Sequence, residues 1–157
     1  MKKDESAPAR ILLVDGNTLG SDARKTILMD HGYIVETVLS GEAAWATFQK
    51  THFDIVVTDL RMKGMTGVEL IRLIRESNSP ARTILLSGFL DVSGMTEKNS
   101  GADELVSKSN KEVPELLRAV RKLAHQTPRR RPPSPAGSPS PRTSRTRLVN
   151  RKSAGRS

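Results

Sequence analysis

The sequence predicts an α/β protein: a doubly wound, five-stranded parallel sheet with helices on both faces. Three observations carry this. Short apolar runs of about four residues alternate with stretches of helical spacing. The runs are continuous rather than alternating, as strands buried on both faces require. Four of them end in a polar or charged residue, namely Asp15, Asp59, Ser87 and Lys108.

The elements follow in order. Ile11-Leu12-Leu13-Val14 is the first strand and ends at Asp15. Thr18 to His31 is a helix with Leu19, Ala23 and Ile27 at helical spacing, closed by Gly32. Tyr33 to Val38 is β-branched and forms a second strand. Ser40 caps a helix through Lys50 that turns Ala44, Trp45 and Phe48 toward a core. Phe53 to Thr58 is the third strand, ending at Asp59, and a loop from Leu60 to Met65 follows. Thr66-Gly-Val-Glu69 has the pattern of a capping box, opening a helix through Glu76. Ala81 to Leu86 is the fourth strand, ending at Ser87. Leu90 to Ser100 has a glycine and few internal apolar residues, so a short or frayed helix is expected. Leu105-Val106 centres a brief fifth strand that ends near Lys108. The last helix runs to about His125, with Val113, Leu116, Leu117, Val120 and Leu123 as its apolar stripe and Pro114 in its first turn. Alternation of this kind defines the doubly wound class.

Composition removes other classes. The chain has 157 residues, no cysteine and three histidines without metal-ligand spacing. Disulfide frameworks, thiolate zinc sites and Cys nucleophiles are excluded. His31, His52 and His125 are expected to titrate on the surface. The apolar runs fall far short of the roughly 18 residues that span a membrane. No secretory signal is visible at the N-terminus, so a cytoplasmic location is expected. The formal net charge is +9, and it is unevenly placed. Nine of the 26 basic residues lie beyond Gln126, where there is no acid. Residues 1–9 read as a flexible N-terminus, 10–126 as the domain, and 127–157 as a disordered tail rich in Pro, Ser and Arg. The tail is too short and too polar for a DNA-binding output domain. Weak, nonspecific contact with polyanions is its functional reading, and a solvated extension is the plainer one.

In doubly wound sheets ligands sit at the carboxyl ends of the strands. Two carboxylates, a hydroxyl and an ammonium are placed there. Adjacent carboxylates repel unless a cation lies between them, and oxygen ligands favour Mg²⁺. The lysine and the hydroxyl would then hold an anion delivered to a carboxylate. The plainer readings are a strand-end acid for Asp59, a helix cap for Asp15 or Ser87, and a solvated amine for Lys108.

Four segments, ILLVDGN (11–17), DIVVTDLRMKGMTGVEL (54–70), RTILLSG (82–88) and GADELVSK (101–108), resemble the receiver domain of two-component response regulators. The resemblance covers residues 10 to 125. It implies a flavodoxin-like fold with strand order 2-1-3-4-5. It implies that Asp59 accepts a phosphoryl group from a histidine kinase or phosphotransfer protein, and that Ser87 and Lys108 bind that group. It implies Mg²⁺ held by Asp15, Asp59 and the backbone carbonyl of Arg61. Any catalysis would be confined to the protein's own phosphorylation and dephosphorylation. Signalling would run through contact with a downstream protein.

The chain departs from the family pattern at four positions. Gly16 stands where a second acid is usual, so metal affinity should fall. Lys63 replaces a proline in the loop after Asp59. Ser109 replaces the proline after Lys108, where a cis bond would cost about 2.5–4 kcal/mol. Leu105 replaces the switch aromatic, which removes the usual reporter of phosphorylation. These departures support an alternative: a receiver-like interaction module that is not phosphorylated. A third reading is a polyanion-binding protein acting through its tail.

Overall fold

The three inner strands of the parallel sheet are buried on both sides and must be covered twice. The computed structural model describes residues 8–88 and 100–126. Its strands are β1 (Arg10–Val14), β2 (Ile34–Val38), β3 (Ile55–Asp59), β4 (Arg82–Ser87) and β5 (Glu104–Ser107). They pair in parallel in the order β2-β1-β3-β4-β5. The helices among the described residues are α1 (Thr18–Asp30), α2 (Gly41–Lys50), α3 (Gly67–Glu76) and α4 (Glu112–Ala124). The expected short helix within Leu90 to Ser100 lies almost wholly outside the described residues, as does the expected disordered tail.

Strand alternation divides the core into two layers. Ile11, Leu13, Ile55, Val57, Ile84, Leu86 and Val106 face one way and pack against Leu28 of α1 and Leu116, Val120 and Leu123 of α4. Leu12, Val14 and Val56 face the other way, against Ala44 of α2 and Leu70 and Ile74 of α3. Ile71, Leu85 and Ala102 extend this second layer, and Leu105 packs beside them. Trp45 and Phe48 flank the second layer as a stacked pair with ring centroids 6.0 Å apart.

Local chemistry fixes the helix starts. The side chains of Asn17 and Ser40 accept hydrogen bonds from Gly20 N and Ala43 N, 3.1 and 3.0 Å long. The capping box at α3 is complete. Glu69 N donates to Thr66 Oγ1 at 3.2 Å, and Thr66 N donates to Glu69 Oε1 at 2.9 Å. Thr66→Ala is therefore expected to destabilise the domain by about 1 kcal/mol. A fall in the urea midpoint at unchanged slope would register it.

Two expectations are corrected. On α1, Leu19 is 82% exposed and Ala23 is also exposed. The buried residues are Ser21 and Leu28, with Arg24 half-buried beside them. Helical spacing located a stripe but not which face turns inward, and the ion pairs of Arg24 described below hold that face toward the sheet. On α4, Val113 is exposed, and Ala119 joins the buried stripe in its place.

Candidate functional site

Parallel topology brings the ends of four strands to one edge of the sheet. Asp15 directly follows β1, Asp59 ends β3, Ser87 ends β4 and Lys108 directly follows β5. Asp15, Asp59 and Ser87 are all buried. Lys108 Nζ lies 2.5 Å from Asp59 Oδ1, a direct ion pair. The backbone fastens the lysine in place: Lys108 N donates to Ser87 O at 3.0 Å. The Lys108–Ser109 bond is trans, so the serine is accommodated without the cis geometry usual at this position.

Gly67 sets the height of Asp59. Its N–H donates to Leu60 O at 3.0 Å, which draws the start of α3 against the end of β3. A Cβ there would stand 2.3 Å from the carbonyl oxygen of Asp59 and 2.9 Å from Leu85 Cδ1. No side chain larger than hydrogen fits. Between these elements lies the loop carrying Arg61, two residues beyond Asp59. Glu42 steadies it by accepting from Met65 N at 3.0 Å.

Two residues that sequence reasoning passed over complete the site. Arg24 of α1 reaches back to pair its Nη1 with Asp15 Oδ2, and its Nε pairs with Glu112 Oε2 at the start of α4. The other oxygen of Asp15 accepts from Asn17 N at 2.8 Å. Burial alone would lower the pKa of Arg24, but Glu112 and Asp15 outweigh it and hold the guanidinium above its ordinary value. One sequence signal was available. Gly20 and Arg24 are one turn apart on α1, so a small residue stands beneath a large cation.

Asp59 is pushed above the ordinary carboxylate range. Burial is the largest cause, Lys108 opposes it, Asp15 adds to it and Arg24 offsets part. The site therefore holds the carboxylate of Asp59 at some electrostatic cost, a pattern frequent at functional sites.

A dication at this edge would draw on Asp15, Asp59 and the Arg61 carbonyl. The residues present do not form a ready metal site. Both oxygens of Asp15 are engaged, Asp59 is paired with Lys108, and Gly16 supplies no ligand. Among the described residues no group of three or more His, Asp or Glu side chains is arranged to hold a metal ion. The three histidines lie far from this edge. They line a cavity of about 550 Å³ with Tyr33, Phe53 and Asp54, at the opposite end of the strands.

Comparison with known proteins identifies the family. The response regulator receiver domain model matches residues 11–121, and the chain belongs to that family. The transcriptional regulatory protein TrcR of Mycobacterium tuberculosis is 33% identical over 108 residues, covering 66% of this chain and 41% of that protein. The response regulator RppA of Synechocystis is 28% identical over 126 residues, covering 78% of this chain and 53% of RppA. The chain thus spans about half or less of the length of these relatives. The response regulator TrrA of Thermotoga maritima, solved in complex with Mg²⁺ and BeF, is 34% identical with a TM-score of 0.66, covering 73% of this chain and 98% of TrrA. The chemotaxis response regulator CheY4 of Vibrio cholerae is 28% identical with a TM-score of 0.67, covering 74% of this chain and 99% of CheY4. Receiver domains serve phosphorelay signalling, work with histidine kinases or phosphotransfer proteins, and in general bind Mg²⁺. No helix among the described residues is long and apolar enough to cross a membrane.

Proposed function

We propose that the chain is a response regulator that accepts a phosphoryl group on Asp59 from a phosphohistidine and signals by contact with another protein. One observation carries the reading: a buried strand-end carboxylate held 2.5 Å from the ammonium of Lys108. A carboxylate oxygen of Asp59 attacks phosphorus, the phosphorus–nitrogen bond to the donor imidazole breaks, and the departing imidazole takes up a proton. Lys108 loses part of its partner as the carboxylate becomes an acyl phosphate, and it turns its charge to the phosphoryl oxygens. The Ser87 hydroxyl, at the neighbouring strand end, donates to the same group. Catalysis of this kind is positioning and charge neutralisation.

Asp15, Asp59 and the Arg61 carbonyl are the groups that would hold Mg²⁺. Affinity is weakened by Gly16 and weakened again by Arg24, which already occupies Asp15. The same two residues favour the second reading, a receiver-like module that exchanges no phosphoryl group. The nine cationic residues beyond Gln126 support weak contact with polyanions, and deletion of residues 127–157 should remove any such binding. A cytoplasmic location is part of the proposal.

Acetyl phosphate decides between the first two readings. Incubation of the full chain with it should give one phosphoryl adduct by intact-mass spectrometry, discharged by hydroxylamine as an acyl phosphate is. No adduct, under conditions that label TrrA or CheY4, would overturn the phosphoacceptor reading.

A further inference from the structure

We propose that the guanidinium of Arg24 is the resident counter-cation of this site, so that phosphoryl transfer to Asp59 proceeds without a divalent metal. The proposal rests on the reading of Asp59 as phosphoacceptor and deepens it.

Asp15 is 1% exposed, and a carboxylate so placed needs a compensating positive charge. Here the charge comes from within the chain. The Arg24 side chain is only 12% exposed, and it is fixed at two points by carboxylates from different elements, Asp15 after β1 and Glu112 on α4. An arginine fork held in this way is oriented before any donor arrives and needs no reorganisation during the reaction. Gly20 leaves the room it needs. A Cβ there would come within 3.1 Å of Arg24 Nη1 and 3.4 Å of Asp15 Oδ2.

Each strand-end carboxylate already has a cation beside it, Asp15 the Arg24 it shares with Glu112, and Asp59 the ammonium of Lys108. A dication entering between the two carboxylates would meet a cation already paired with each. Gly16 is not retained for backbone reasons. Its φ is not in the left-handed region, and an added Cβ would meet only Leu39 O at 3.7 Å. An acid is sterically admissible at that position, and the chain does without one.

The test pairs labelling with metal binding. The full-length wild type, Arg24→Gln, Arg24→Lys and Arg24→Gln/Gly16→Asp are each treated with acetyl phosphate in EDTA and in Mg²⁺. Circular dichroism melts establish which variants are folded. Wild type should label to the same extent in both media. Arg24→Gln should lose about a hundred-fold in labelling rate in EDTA, and Arg24→Lys should retain much of it. Mg²⁺ titrated by calorimetry should bind Arg24→Gln/Gly16→Asp at least about ten-fold more tightly than wild type. Wild-type labelling that requires Mg²⁺, or an Arg24→Gln variant as fast as wild type in EDTA, would overturn the proposal. Should Arg24→Gln fail to fold, the wild-type comparison of EDTA with Mg²⁺ still decides. Should wild type take no label in either medium, the phosphoacceptor reading fails, and calorimetry alone judges Arg24. Equal Mg²⁺ affinity in wild type and double variant would then refute it as the resident cation.

Discussion

Asp59→Asn is expected to abolish the hydroxylamine-sensitive phosphoryl adduct and, near neutral pH, to make the domain more stable. The first effect is direct, because a neutral amide in place of the carboxylate removes the nucleophile. The second follows from the raised pKa of Asp59. A carboxyl group whose folded pKa lies above its unfolded value binds its proton more tightly in the native state. The stability this confers is fully present below the unfolded pKa, near 3.8, and is lost as pH rises through the folded value. At neutral pH the ionised group is therefore a net cost. Asparagine removes that cost while preserving shape, and Lys108 is exposed enough to turn toward solvent. Melting curves should show a Tm increase on the order of a few degrees at neutral pH, shrinking as the pH approaches the carboxylate range. A lower Tm for Asp59→Asn at neutral pH would mean that the ion pair with Lys108 outweighs burial.

Gly67→Ala is expected to damage both folding and the site. The added methyl group would collide with the backbone carbonyl of Asp59 at 2.3 Å, and a backbone atom cannot swing aside as the end of a flexible side chain can. Relief requires α3 to retreat from β3, which breaks the Gly67 N to Leu60 O hydrogen bond and loosens Leu70 and Ile71 in the second layer. Overpacking of this kind costs about 3 kcal/mol, at the severe end for one methyl group. The urea midpoint would report the loss. Labelling of the remaining folded protein should also slow, because the carboxylate of Asp59 moves with its carbonyl. Gly16→Ala is the matched control. Its methyl group meets open surroundings, and both readouts should stay near wild type.

The sheet was legible in the sequence because a buried parallel strand has a plain signature, a continuous apolar run with a polar residue at its end. ILLV before Asp15 and IVVT before Asp59 are such runs, and the strand order followed from the resemblance to receiver domains. The capping box at Thr66 was legible for a similar reason, since its partners are three residues apart. Arg24 was not, because its partners lie 9 and 88 residues away and the one local signal, a glycine one turn before it, does not by itself tell a buried arginine from a solvated one. The same long-range pairing misled the reading of α1. Leu19, Ala23 and Ile27 made the more apolar stripe, yet the helix turns its cation inward because two carboxylates await it there. Gly16 was read as a missing metal ligand, and Arg24, paired with Asp15, adds a second departure that the sequence did not display.

The strand order has a consequence for the newly made chain. β1 and β3 pair at the centre of the sheet and emerge early in synthesis, so Asp15 and Asp59 are present well before the last third of the domain. Their countercharges are divided in time. Arg24 emerges with α1, but Lys108 arrives only after β5. A nascent or truncated chain that stops before Lys108 holds the carboxylate of Asp59 without the ammonium that pairs with it. On the proposed reading, the charge balance around Asp59 is complete only when β5 and Lys108 have been made.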